Sequence, residues 1–357
     1  MTPRTQDELA DRIFEACNAT WDVLTIHIGR KLGFYAALAA SGPMTSPELA
    51  AATAADERYV REWLEQQTVT GILDVDTPNL PSGHRRFSLD PAYAEVLLDE
   101  DSLAYLGPAA SMTAAAAATL PSVMGAFANG GGVGWDVFGE DMRLGQGDIN
   151  RPLLLHVLGP EWLASLSDVD TALRVPGARA AEIGAGVGWG AIGVARTYPE
   201  VTVVGYDIDP PSVVAAAANA ADLGVADRTE FRAVDPSQDP SAEAYDLVFA
   251  VECIHDMADP VPVLAAMRAM VKDGGTVLVI DERTADVFDP QAGDMERFFY
   301  GFSITTCLPD GLSHAPSVGT GTVMRRSTLE SFATEAGFTT VTVAPIDHEQ
   351  FRVYQLS

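Results

Sequence analysis

Apolar positions divide the chain into two regimes. In the first hundred residues they recur with helical spacing. "DERYVREWLEQQTVTGIL" begins with a capping Asp56 and puts Val60, Trp63, Leu64 and Gln67 on one face. "SPELAAAT" reads as a helix with Ser46 as cap and Pro47 at its first position. "TWDVLTIHIGRKLGFYAALAA" (20–40) reads as one helix more apolar than a lone surface helix requires. "GILDVD" and "RRFSLD" read as short strands on either side of the turn "TPNLPSGH". From about residue 178 the regime changes. Short β-branched runs ("ARAAEI", "VTVVGY", "TEFRAV", "YDLVFAV", "GTVLVID") alternate with helical segments. Runs without polar alternation are strands buried on both faces, so this half is a doubly wound α/β domain around a parallel sheet.

Between the regimes lies an alanine-rich helix, "AASMTAAAAATL", expected to be buried and to stop at Pro121. It is too short for a membrane span. After it comes "NGGGVGWDVFGEDMRLGQGDINRP", too polar for core, which reads either as a lid around Trp135 or as a surface linker. The expected organisation is a domain over 1–100, a helical connector over 101–170, and the α/β domain over 171–357.

Helix, turn, helix and hairpin in residues 20–100 outline a winged helix, a module common in DNA binding. Charge argues against that use. Residues 1–100 hold eight basic and sixteen acidic residues, and the whole chain carries a formal charge of −28. A protein that binds duplex phosphates needs a basic footprint. The module is therefore expected to serve dimerisation and to cap a substrate. Three cysteines far apart suggest free thiols in a reducing, cytoplasmic setting. The opening "MTPRTQDELADRIFEAC" has no apolar run, so no secretory leader is expected.

The densest chemical signal is "AEIGAGVGWG". Glycines at this density let a backbone turn sharply and approach a ligand closely. No Lys-Ser or Lys-Thr follows, so it is not a P-loop. "GWGAIG" satisfies the dinucleotide pattern, but its glycines begin beyond the end of the strand at Ile183. The first turn is instead Gly184, Gly186 and Gly188, directly after Glu182.

This acid-x-G-x-G-x-G register resembles motif I of class I methyltransferases that use S-adenosylmethionine (SAM). "KDGG" before the fifth strand and the C-terminal pair "FTTVTVAPI" and "EQFRVYQLS" are similar to that family's turn and final hairpin. "GFSITTCLPDG", "GTVMRR" and "FRVYQL" resemble bacterial small-molecule methyltransferases with an N-terminal winged helix. The resemblance implies a sheet whose last strand is antiparallel, SAM as cofactor, and a homodimer paired through the N-terminal domain.

It also implies roles for residues. Glu182 would stand near the methionine amino group, Asp207 on the ribose, and Asp235 with Pro236 at the adenine. Glu252 would lie near the sulfonium. "CIHDMADP" resembles the H-D-W-x-D segment of O-methyltransferases, with Met257 in place of tryptophan. That makes His255 a candidate general base and Asp281, with Glu282 beside it, the acid that orients it. Trp135, Tyr300 and His314 are candidates for the acceptor pocket, and Glu296, Tyr300 and Ser303 would share a helical face. His314 with His255 could hold a metal, but two scattered histidines do not make a metal site, so none is assigned. His27, His84, His156 and His348 are read as surface or packing residues. The expected activity is methyl transfer to a small organic acceptor at oxygen, with no nucleic-acid or membrane partner. Transfer to nitrogen or carbon, a SAM-binding regulator, and a scaffold turned to other chemistry are the alternatives.

Overall fold

The computed structural model describes residues 5–238 and 244–357. It divides into two units. One comprises the residues up to Ala117 together with Leu144–Pro152, and the other comprises Ala118–Arg143 together with Leu153–Ser357. The connector expected over 101–170 is thus shared between them.

In the first unit, helices Gln6–Lys31, Phe34–Ser41, Ser46–Thr53 and Glu57–Val69 precede strands β1 (Leu73–Val75) and β2 (Phe87–Leu89), which pair antiparallel. Val60, Trp63, Leu64 and Gln67 are buried, and Asp56 accepts the Arg58 and Tyr59 N–H groups, as the pattern predicts. Two details differ. The cap of the third helix is Thr45, in a capping box with Glu48. Ser46 is instead buried and donates to Glu57 at 2.6 Å. The helix expected over 20–40 is broken at Gly33, whose φ of 73° no helix accepts. The first helix also starts earlier than the apolar run, and residues 5–21 along it are all exposed. Leu9, Ile13, Phe14 and Trp21 are therefore uncovered, Phe14 at 68%.

The alanine-rich helix spans Pro108–Asn129 and runs through Pro121 rather than stopping there. Only a third of its most apolar stretch is buried, and among the described residues it is the one helix long and apolar enough by composition to cross a membrane. The glycine-rich segment also departs from expectation. Val133, Phe138 and Met142 are core residues, because the segment from Trp135 is amphipathic helix interrupted only at Gly139 (φ 76°).

The sheet of the second unit comprises β3 (Arg179–Ile183), β4 (Thr202–Asp207), β5 (Thr229–Ala233), β6 (Tyr245–Val251), β7 (Val271–Glu282), β8 (Val341–Val343) and β9 (Phe351–Leu356). Their order is β5-β4-β3-β6-β7-β9-β8. The first five are parallel, while β9 lies antiparallel between β7 and β8. Ala180, Leu247 and Leu278 join one core, and their neighbours Ala181, Val248 and Val277 join the other. Burial of both faces explains why these strands read as unbroken apolar runs. The chain leaves β3 toward β4 and later returns to its other side as β6. That reversal opens a crevice beyond the carboxyl ends of the strands.

Helix Trp189–Thr197, the first after the glycine turn, packs closely on the segment Leu154–Leu163. A methyl group at Gly193 would run into the backbone carbonyl of Leu154. Helical Gly→Ala ordinarily stabilises by about 1 kcal/mol. Gly193→Ala is expected to reverse that sign and destabilise by about 1–3 kcal/mol through overpacking, read as a lower denaturant midpoint. A stabilised variant would contradict the close contact.

Candidate active site

Loops that leave β3, β4, β6 and β7 rise from the carboxyl edge of the sheet, and Asp235 lies just beyond the end of β5. After β3, Gly184, Gly186 and Gly188 all take positive φ (68°, 52° and 88°). A side chain at Gly184 would strike Cys253, whereas Gly186 faces open space. The turn is thus tight beneath and bare above, as close approach to a ligand requires.

Asp207, the last residue of β4, ties this turn to its neighbour. One carboxylate oxygen accepts the Gly186 N–H at 2.7 Å and the other the Asp209 N–H at 2.8 Å. Burial pushes its carboxyl above the ordinary range against those bonds. Asp235 accepts the Ser237 N–H at 2.8 Å, and Pro236 beside it is buried. Glu252 holds a φ of 48°, a left-handed conformation costly for a non-glycine residue, at the end of β6.

Glu182 is placed differently from the expected contact near a ligand amine. It is 2% exposed and accepts the Ala191 N–H at 2.6 Å, from within the first turn of the following helix. It supports the loop from beneath. Burial pushes its carboxyl up to about 8, although the Ala191 N–H opposes the shift.

His255 follows β6 in a short turn, Ile254–Asp256. It is 2% exposed. Its Nδ1 lies 2.8 Å from Asp281 Oδ1 and 3.1 Å from Glu282 Oε2, both at the end of β7. Its Nε2 lies 3.1 Å from Asp256 Oδ1. Burial alone would lower the basicity of this imidazole, but the carboxyl groups around it, Asp256 first among them, outweigh it and raise the pKa well above the ordinary value. The expected histidine–carboxylate pair is thus assembled, with two further carboxylates that pattern reading did not assign.

Among the described residues, two groupings have metal-ligand spacing: His255 with Asp256 and Cys307, and His255 with Asp281 and Glu282. Nδ1 is hydrogen-bonded to Asp281, and Nε2 lies 3.1 Å from Asp256 Oδ1. His314 is in neither grouping and is exposed.

The other expected pocket residues are dispersed. The Tyr300 hydroxyl accepts from Arg325 at 2.8 Å, and Glu296 pairs with the same guanidinium at 2.7 Å. Ser303 is buried. Trp135 is half-buried, and its backbone N–H bonds the Asp310 carboxylate. Burial, with Asp256 nearby, pushes the Asp310 carboxyl up to about 7. Val133 N–H also donates to the Pro309 carbonyl at 2.8 Å. Pattern reading missed Arg143, whose guanidinium meets Asp209 at 2.6 Å beside the Asp207 loop. Only its place in an amphipathic helix could have pointed to it.

Residues 181–277 match the family described as a methyltransferase domain. Before it, residues 21–99 match an Rv2258c-like winged helix-turn-helix domain. The ubiquinone biosynthesis O-methyltransferase of Xanthomonas euvesicatoria pv. vesicatoria is 30% identical over 128 residues, 35% of this chain and 50% of that protein. The chain therefore spans only half the length of that curated relative in the match. Two solved structures share the fold along nearly the whole chain. Mitomycin 7-O-methyltransferase has a TM-score of 0.69 at 20% identity, covering 98% of each chain. Human N-acetylserotonin methyltransferase in complex with SAM has 0.70 at 18%, covering 100% of this chain and 99% of that one. The antiparallel β9 inserted beside β7 belongs to this class I methyltransferase fold and sets the domain apart from a dinucleotide fold.

The raised carboxyl of Glu182 in the methyltransferase domain has a consequence for stability. A carboxyl shifted from 4.5 to about 8 on folding contributes stability that is full below 4.5 and is lost as pH rises through about 8. Glu182→Gln keeps an acceptor for Ala191 and carries no charge. Its melting temperature, relative to wild type, is expected to rise across that window. A constant difference would mean that Glu182 is ionised throughout.

Proposed function

We propose that this protein is a SAM-dependent methyltransferase acting on the oxygen of a small organic acceptor, with His255 as the general base. The observation that carries the reading is the placement of the buried His255–Asp281 pair. It stands at the carboxyl ends of β6 and β7, two residues beyond Cys253, the side chain packed against Gly184 of the glycine turn. A base and a cofactor loop so close can serve one reacting centre.

Gly184, Gly186 and Gly188 would cradle the cofactor, with Asp207 on the ribose hydroxyls and Asp235 and Pro236 at the adenine. Glu252 would face the sulfonium end. In the transfer, the acceptor oxygen attacks the sulfonium methyl. The C–S bond breaks as the O–C bond forms, leaving S-adenosylhomocysteine. The hydroxyl proton passes to Nε2 of His255, while Asp281 holds Nδ1–H and fixes the ring. Positioning supplies most of the acceleration, and the base adds about 10²–10⁴. Trp135 and Tyr300 remain our candidates for the acceptor wall. His314 is exposed and is the weakest of the three.

Oxygen is favoured because a phenol or alcohol must lose its proton to become the nucleophile, the task such a base performs. A DNA-binding regulator is disfavoured by the winged helix itself. On helix Glu57–Val69, Arg58 pairs with Glu62 and Arg61 lies 3.7 Å from Glu57, so each cation is offset by a carboxylate of its own helix. The dispersed thiols support a reducing, cytoplasmic setting. A homodimer through the N-terminal domain is supported by the uncovered Leu9, Ile13, Phe14 and Trp21.

Two measurements test this reading. S-adenosylhomocysteine should raise the melting temperature while nicotinamide dinucleotides should not, and Asp207→Ala should weaken its binding by about 1–3 kcal/mol. His255→Ala should lower turnover about 10²–10⁴-fold and leave cofactor affinity unchanged. Because the pKa of His255 is raised, the acidic limb of the rate profile should lie above 6.5. Full turnover in His255→Ala would remove the base, and dinucleotide binding in place of SAM would overturn the whole assignment. For the assembly, Phe14→Glu with Trp21→Glu should convert a dimer to a monomer in sedimentation. A monomeric wild type at micromolar concentration would refute the dimer.

A further inference from the structure

The end of β7 raises a question of proton count. Consecutive strand residues normally point to opposite faces, yet Asp281 and Glu282 both reach Nδ1 of His255, at 2.8 and 3.1 Å. All three side chains are at least nine-tenths buried. One N–H cannot serve two carboxylates. With that proton given to Asp281 Oδ1, Glu282 Oε2 has nothing to accept. Asp281 Oδ2 and Glu282 Oε2 are indeed both buried without a hydrogen-bond partner. Two adjacent buried anions would each bear a desolvation cost and would repel one another.

A single proton between the two carboxyls removes the conflict. Asp281 is the better place for the remaining charge. Its Oδ1 accepts both the shorter imidazole bond and the Glu282 backbone N–H at 3.0 Å, and hydrogen bonds to the charged form favour that form. We propose that Glu282 is a second positioning residue of this site, a neutral carboxylic acid whose O–H is given to Asp281, so that Asp281 stays ionised and turned onto Nδ1 of His255. The directions of the two acidities agree with this placement. For Asp281, burial is outweighed by His255 and by hydrogen bonds, and its carboxyl stays below the usual range. For Glu282, burial prevails despite His255, with the Asp281 charge adding to it, and its carboxyl rises well above.

This deepens the base reading of His255 and rests on it for its role in turnover. The acceptor proton enters at Nε2, Nδ1–H remains on Asp281 Oδ1, and Glu282 keeps its proton throughout. One ionised carboxylate on the Asp281–Glu282 side then balances the imidazolium, rather than two. The charged or titratable groups facing this ring are Asp256, Asp281 and Glu282, with the thiols Cys253 and Cys307 nearby.

The test is a titration of the full chain with ring-labelled histidine, followed by NMR, with the His255 signal assigned by its loss in His255→Gln. Asp281→Asn should lower the pKa of His255 by about a unit or more, because an ionised partner is lost. Glu282→Gln, a mimic of the neutral acid, should leave it within a few tenths of wild type. Turnover lost in Glu282→Ala should return in Glu282→Gln. In the infrared, Glu282→Gln should remove the carbonyl stretch of a protonated carboxyl. A fall in the His255 pKa in Glu282→Gln as large as in Asp281→Asn would overturn the proposal, as would the absence of that stretch from wild type. The titration needs no acceptor. Failure of the base reading, seen as full turnover in His255→Ala, is therefore distinguishable from failure of this one.

Discussion

Parallel pairing of β3 with β4 on one side and β6 on the other is the constraint on which the site depends. Parallel strands present their carboxyl ends together, and the loops that follow must rise from one edge. Gly184, Asp207, Asp235, Glu252 and His255 are spread over 71 positions of sequence, yet each follows or ends such a strand. The antiparallel β9 extends the same logic. It covers the outer side of β7 over its second half, from Val277 to Glu282. The strand end that carries Asp281 and Glu282 is thereby held inside the protein.

Burial at that edge forces a particular electrostatic solution. The site gathers carboxylates in a chain already at −28, and each would be costly to hold charged away from water. Three kinds of compensation appear. Backbone N–H groups take Asp207, a helix N–H takes Glu182, and an imidazole takes Asp281 and Asp256. Where compensation is incomplete, protonation stands in for it, as the raised carboxyls of Glu182 and Glu282 express. A cluster of acids around one histidine is in this way compatible with a folded core, and it raises the basicity of that histidine.

The N-terminal unit combines a winged-helix outline with charges that pair among themselves. Its helices and hairpin form a winged helix around Leu49, Leu64 and Phe87. The surface that would meet a nucleic acid is occupied by internal ion pairs, such as Arg85 with Glu65 and Arg58 with Glu62. The exposed apolar turns of helix Gln6–Lys31 supply a different kind of surface, one suited to protein contact.

The chain by itself determined the order of strands and helices, the glycine turn, and the histidine–acid pair. The first two rest on local rules: period, capping, and a turn only glycine can make; the pair rests on the resemblance of "CIHDMADP" to a family motif. Asp207, at the end of a β-branched run, and His255, in a motif of known spacing, were therefore legible. What pattern could not decide was which way each side chain turned. Glu182 bonds the helix above it, and Tyr300 and Glu296 are taken by an arginine 25 and 29 positions away. Arg143 reaches Asp209 from a segment that reads as linker. That Glu282, read only as the neighbour of Asp281, also reaches His255 was not legible for the same reason. Its contact depends on β7 ending at Glu282, and on the neighbouring elements that bury both acids. Tertiary packing alone decides which carboxyl keeps its charge.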